Sequence, residues 1–224
     1  MTAETPPVGA EKRLFVWARH GQAEHNVLID AGMKTEGRGV LDPPLTDLGR
    51  DQAVGLQQSL VAALLGTEEG PLPPLSDLVD AVVTSPMSRA LETTQAAFGS
   101  APAVPVLVTS LHTETGVPVP GDEVAGQNCQ KGSALPGLMS RFPNFDFTSV
   151  QEDGQWQCAD EACGFFHPMP ALERLLLFRE WLEALPYQRV LVVGHSGFFK
   201  RFLGGSKMQN CQAIILPLEE TRVG

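Results

Sequence analysis

Leu14-Phe15-Val16-Trp17-Ala18-Arg19-His20-Gly21 is the stretch that decides the fold. Its apolar run, Leu14 to Ala18, is short and bounded by charge, as buried strands of a parallel sheet commonly are. The run stops directly at an arginine and a histidine.

Working outward, three more such runs follow. Asp80 to Thr84 is a second strand, after which Ser85-Pro86 offers an N-cap and a proline at the first helical position. The helix it opens runs to Phe98, with Ala90, Leu91, Thr94, Ala97 and Phe98 on one face. Val104 to Val108 is a third strand, and Val190 to Val193 a fourth that leads into Gly194-His195-Ser196-Gly197 and a short helix through Leu203. Between the first two strands a helix starts at Thr46, carries Ala53, Leu56, Leu60 and Leu64 at helical spacing and stops at Gly66. Pro170 to Leu185 is an amphipathic helix on Leu172, Leu175, Leu176, Arg179 and Leu182, and Ala213 to Leu218 is a last strand at or near an edge. Strands alternating with helices give a layered α/β fold with a parallel sheet, whose ligands gather beyond the carboxyl ends of the strands.

The chain has 224 residues, enough for one domain, with 43% hydrophobic and 19% charged residues, the composition of a globular protein. The segment Thr109 to Pro170 shows no sustained periodicity. With Phe142, Phe145, Phe147, Trp156, Phe165 and Phe166 it reads as a lid or insertion that sets specificity. A formal net charge of −10 argues against a nucleic-acid or anionic-membrane partner, because both are drawn by a positive field. Met1 to Ala10 lacks the apolar run of a signal peptide and no stretch is long enough to span a bilayer, so the expectation is a cytoplasmic protein. Cys158 and Cys163 lie close together without a second close pair, which favours incidental thiols over a metal site or a disulfide.

Three strand ends carry polar residues: Arg19-His20-Gly21, Ser85 to Arg89, and Gly194-His195. In a parallel sheet they share one crevice. Two arginines there would bind phosphate oxygens bidentately at any working pH, and Arg89 in the first turn of its helix adds a favourable dipole. The same arginines would repel a divalent cation, so no metal is expected.

These residues resemble the histidine phosphatase superfamily, the phosphoglycerate mutase-like proteins. The resemblance rests on ARHGQAEHN (Ala18 to Asn26), DPPLTDLGRDQA (Asp42 to Ala53), TSPMSRALETT (Thr84 to Thr94) and VVGHSGFF (Val192 to Phe199), in that order. It implies a three-layer sandwich with a mostly parallel central sheet, and a phosphatase in which His20 attacks phosphorus. It also implies that Arg19, Arg89 and His195 hold the phosphoryl oxygens and that Asn26 contacts the phosphate; Gly21, Gln22 and Ser196, within the same motifs, are further substrate-binding candidates. The substrate would be a small phosphorylated molecule, with no cofactor.

The leaving alcohol needs a proton donor, and the resemblance implies a Glu or Asp in the segment after the third strand. Glu114 lies at the expected distance, while Glu123 better matches the local pattern of one phosphatase branch; distance from a strand favours Glu114. Gln22-Ala23-Glu24 departs from the mutase pattern and favours a phosphatase, with mutase-type phosphoryl transfer and a catalytically silent binder as the alternatives. His25, His112 and His167 read as structural histidines, and Lys200 and Arg201 as a solvated face or an attractor of anionic substrate. Gly194-His195-Ser196-Gly197-Phe198 nearly spells a serine-hydrolase elbow, but Phe198 stands where that turn needs glycine.

Overall fold

The structure, a computed structural model, describes residues 13–67, 70–115, 129, 131–153, 156 and 169–222. Five strands form its sheet: β1 (Leu14–Arg19), β2 (Ala81–Thr84), β3 (Val106–Val108), β4 (Arg189–Gly194) and β5 (Ala213–Ile215), in the spatial order β3-β2-β4-β1-β5. All pairings are parallel except that of β5, which runs antiparallel at the edge beside β1. The register pairs Arg19 with Gly194 and Thr84 with Val193, so the chain leaves β1, β2 and β4 at one level of the sheet.

Pleating sorts the β1 run into two cores. Val16 and Ala18 pack in a layer with Leu56, Leu60 and Leu91, while Phe15 and Trp17 pack on the other face with Phe178, Leu182, Phe198 and Phe202. Each valine, leucine or phenylalanine side chain among them taken from water contributes about 1.5–3 kcal/mol. The expected three layers are therefore present. One outer layer carries α3 (Asp47–Val54), α4 (Leu56–Leu65) and α6 (Ser88–Phe98), and the other α9 (Ala171–Ala184) and α10 (Ser196–Phe202). Shorter helices α1 (Glu24–Asp30), α2 (Lys34–Gly39), α5 (Leu75–Leu78), α7 (Leu135–Arg141) and α8 (Thr148–Asp153), with 3₁₀ turns at Ser110–His112 and Leu218–Glu220, lie among the other described residues.

Four local expectations are corrected. The helix from Thr46 is two helices meeting at Gly55; Thr46 does cap the first, its Oγ1 accepting the Gly49 amide at 3.0 Å. The helix after β2 begins at Ser88 with Met87 as its N-cap rather than behind Pro86; Ser85 lies ahead of it, its Oγ accepting the Met87 amide at 3.4 Å and hydrogen-bonded to His195 Nε2 at 2.9 Å. On α9 the buried face is Arg174, Leu175, Phe178 and Leu182, with Leu172 and Leu176 exposed. In the segment after β3, Phe142, Phe145, Phe147 and Trp156 are core residues packed beneath α7 and α8 rather than parts of a lid; Phe165 and Phe166 lie outside the described residues.

Candidate active site

The end of β1 crosses α3 at very short range. A Cβ on Gly21 would stand 2.4 Å from the Gly49 carbonyl oxygen, so only hydrogen fits there. The Gly21 amide donates to Thr93 Oγ1 at 2.9 Å, and its carbonyl oxygen accepts from His20 Nδ1 at 2.7 Å. That bond puts the ring proton on Nδ1 and leaves Nε2 with a lone pair. Burial, then the charges of Arg89 and Arg19 and the neighbouring His25, hold His20 well below the usual histidine range. Its ring is therefore neutral at physiological pH.

Arg89 reaches this lone pair from the first turn of α6, its Nε donating to His20 Nε2 at 3.3 Å and Nη1 to the Cys129 carbonyl at 3.0 Å. Met87 at the N-cap offers no side-chain acceptor, so Asp42 takes over: Oδ1 accepts the Ser88 amide at 2.9 Å and Oδ2 the Ser88 hydroxyl at 2.7 Å. The same Oδ2 accepts the amide and hydroxyl of Ser133, tying α6 to the start of α7. Asp42 does this from a left-handed backbone, φ 39°.

His195 follows β4 as the N-cap of α10, its ring 5.2 Å from that of His20 and its Nε2 hydrogen-bonded to the Ser85 hydroxyl at 2.9 Å. Burial, then the charge of Arg89 and the neighbouring His20, His112 and His25, lower its pKa too, and its Nδ1 has no partner among the described residues. The α10 amides that His195 leaves uncapped are taken by Glu114. Its Oε1 accepts from Phe198 at 3.0 Å and Thr115 at 2.8 Å, and its Oε2 from Gly197 at 3.3 Å. A carboxylate is thus fixed at the rim of the same crevice.

These groups surround a cavity of about 500 Å³ lined by Arg19, His20, Asn26, Arg89, Glu114 and Ser196 among others. Arg19, Arg38, Arg89, Lys200 and Lys207 face it against two carboxylates, Asp30 and Glu114. A chain of net charge −10 therefore concentrates cations here, as an anion site requires. Among the described residues no group of histidine, cysteine and carboxylate side chains could hold a metal ion.

Of the candidates, His20, His195, Arg19, Arg89 and Glu114 converge, and Asn26 and Ser196 line the wall. Gln22 does not: its Oε1 accepts from Thr46 Oγ1 at 2.9 Å, away from the cavity, and Gly21 acts through its backbone on His20 rather than on a ligand. Ser196 Oγ accepts the Met208 amide at 3.1 Å, and neither imidazole engages it. His112 is structural as expected, stacked on Phe178 with Nε2 against the Val193 carbonyl at 3.1 Å. His25 pairs its Nε2 with Asn26 Nδ2 at 3.0 Å and also lines the cavity, with Nδ1 unpartnered among the described residues. Glu123, His167, Cys158 and Cys163 lie outside the described residues.

Sequence reading named Ser85 but not its contact with His195, and missed Thr93, Asp42 and the Lys207 to Asn210 segment. Asn210 Nδ2 donates to the His20 carbonyl at 3.0 Å. Asp42 and Thr93 sit inside the quoted motifs, so position in a motif was a usable signal; nothing in the sequence marks Asn210.

The fold and pocket together describe a three-layer α/β protein with a cation-rich cavity at the carboxyl ends of its parallel strands. A probable phosphatase of Schizosaccharomyces pombe is 32% identical over 148 residues, 65% of this chain and 56% of that protein, so the alignment spans little more than half its length. A phosphoglycerate mutase-like protein of Arabidopsis thaliana is 25% identical over 88% of this chain and 75% of its own. Among solved structures, a mycobacterial hydrolase matches at TM-score 0.52 and 21% identity over 95% of both chains. The ecdysone phosphate phosphatase of the silkworm, solved with tungstate, matches at 0.52 and 16% identity over 94% of this chain and 91% of that one. No protein-family model matches. The resemblance to the histidine phosphatase superfamily read from the motifs stands, since relatives carry phosphatase and phosphoglycerate mutase-like names and the neighbours share the fold.

Proposed function

We propose that this chain is a phosphatase that hydrolyses a small phosphate monoester through a phosphohistidine on His20. The observation that carries the reading is the pinned tautomer: Nδ1 is bound to the Gly21 carbonyl, and Nε2 is unprotonated, next to Arg89 and facing the cavity. The Nε2 lone pair attacks phosphorus, the ester P–O bond breaks, and the departing alkoxide takes a proton from the Glu114 carboxyl group. Water then attacks the phosphohistidine and returns its proton to Glu114, and the P–N bond breaks to release inorganic phosphate. Arg19, Arg89 and His195 hold the non-bridging oxygens, where charge is redistributed as the bonds exchange. Such a site gains most from positioning and fixed charge. The part of the substrate beyond the phosphoryl group meets Thr115 and Cys129, both from the segment after β3, which suits that segment's role in specificity.

Incubation with a phosphomonoester labelled at phosphorus tests the reading. Wild type should acquire an acid-labile label and release labelled inorganic phosphate, and His20→Ala should do neither. A label that passes to an added alcohol rather than to water would support mutase-type transfer. No label with any donor would support a silent phosphate binder. Ser196→Ala should keep most of its activity, since the nucleophile is His20.

A further inference from the structure

We infer that Arg174 of α9, in the opposite layer of the fold, is a positioning residue that sets Glu114 in place to deliver its proton. This rests on the reading of Glu114 as the proton donor.

Arg174 is 3% exposed, an unusual place for a guanidinium, and it is not part of the cavity wall. It spends Nη1 on both oxygens of Thr113, the backbone carbonyl at 3.0 Å and the side-chain hydroxyl, and Thr113 is the residue immediately before Glu114. Burial draws its pKa down to about 10 while the charge of Glu114 pulls the other way, so it remains a cation beside that carboxylate at physiological pH. On its other side Glu114 is held by the Gly197 and Phe198 amides of α10. The Thr113 to Thr115 strap therefore has two anchors, one on each helix of the layer. One fixes the backbone ahead of the acid, and the other fixes the acid's oxygens directly after His195.

A buried guanidinium that only stabilised the fold would be an expensive choice, since a hydrophobic residue of similar size often serves as well or better. What an apolar residue cannot supply is a fixed donor to both oxygens of Thr113, which sets the backbone immediately ahead of Glu114. A misplacement of about 1 Å in such a group can cost on the order of 10²-fold in rate.

The test compares kcat/KM for an alkyl phosphate, whose alkoxide needs a proton, and for nitrophenyl phosphate, whose leaving group departs without one. Glu114→Gln should lose about 10²–10³-fold on the alkyl ester and far less on the nitrophenyl ester, as removal of a general acid does. Arg174→Met should show the same selectivity at roughly 10-fold, and Arg174→Lys should recover part of it. Equal losses on both esters in Arg174→Met, with folding confirmed by its melting curve, would overturn the positioning role and leave Glu114 untouched. Equal losses in Glu114→Gln would instead remove the proton-donor reading itself. Should Arg174→Met fail to fold, Thr113→Val, which deletes one of the two acceptors, carries the test: selective loss supports the inference and equal loss overturns it.

Discussion

Arg89 Nε donates to His20 Nε2 at 3.3 Å, so the group expected to hold a phosphoryl oxygen is aimed at the nitrogen expected to attack phosphorus. An oxyanion entering the cavity would replace this cation-to-imidazole contact with a cation-to-anion one, in which both partners are charged. Arg89→Met should therefore lower kcat/KM by about 10²–10³-fold, the usual loss for one donor to a developing oxyanion. It should also raise the His20 pKa, because a repelling charge is gone, and shift the acid limb of the pH–rate profile upward. The limb should still stay below the ordinary histidine range, since burial, the larger cause, remains. A pH profile of the two proteins checks both parts.

The same burial makes the fold acid-sensitive. His20, His25, His112 and His195 all have folded pKa values below 6.5, with His25 near 2 and His112 near 3. Between those values and 6.5 the unfolded chain binds more protons than the native one, so stability is fully present above pH 6.5 and falls as pH drops below it. Each histidine contributes a slope of about 1.4 kcal/mol per pH unit once its unfolded form is protonated. Melting temperatures from pH 7.5 to 5 should fall steeply, and His112→Phe should flatten the curve by about one proton. An unchanged slope in that variant would contradict the assignment of His112 as a neutral core residue.

Gly21 is expected to tolerate nothing larger. Gly21→Ala sets a methyl group against the Gly49 backbone, which cannot swing aside as a side chain would, and should cost about 1–3 kcal/mol as an overpacked site does. It should also reduce activity, because the Gly21 carbonyl orients His20. Gly39→Ala is the control: open space surrounds that position, and its effect should stay within about 0.5 kcal/mol. Denaturant midpoints of the two variants give the comparison.

The fold and the inner site were legible because they rest on short-range physics. Five apolar residues ending at Arg19-His20 specify a strand buried on both faces, and parallel register brings the ends of β1, β2 and β4 together. Ser85 fell short of capping because the helix starts later, at Ser88: its hydroxyl accepts the Met87 amide ahead of the helix and also meets His195, 110 positions away. Exposure of Leu172 and Leu176 escaped because Arg174, a polar residue by type, occupies the buried stripe between them. Phe142, Phe145 and Phe147 looked available for a lid only because their partners, Leu91 and Val108 among the same core cluster, are far away in sequence.

Asp42 is the clearest case of a residue whose role the motif contains but local pattern does not explain. Its carboxylate accepts four hydrogen bonds from Ser88 and Ser133, standing in for the cap that Met87 cannot provide, one residue before Arg89. Asp42→Ala leaves buried donors unpaired at about 1–3 kcal/mol and frees the first turn of α6 to shift, so both stability and kcat should drop. Asp42→Asn separates the two effects. Asparagine tolerates the left-handed backbone at φ 39° and can still accept the Ser88 amide through its oxygen, but its NH₂ cannot accept the two hydroxyls and the Ser133 amide that meet Oδ2. It should retain the Arg89 position better than alanine and lose its tie to α7, giving a kcat between the two with a loss of stability approaching that of alanine. Equal kcat in wild type and Asp42→Ala would show that the first turn of α6, and with it Arg89, is held by the rest of the helix alone.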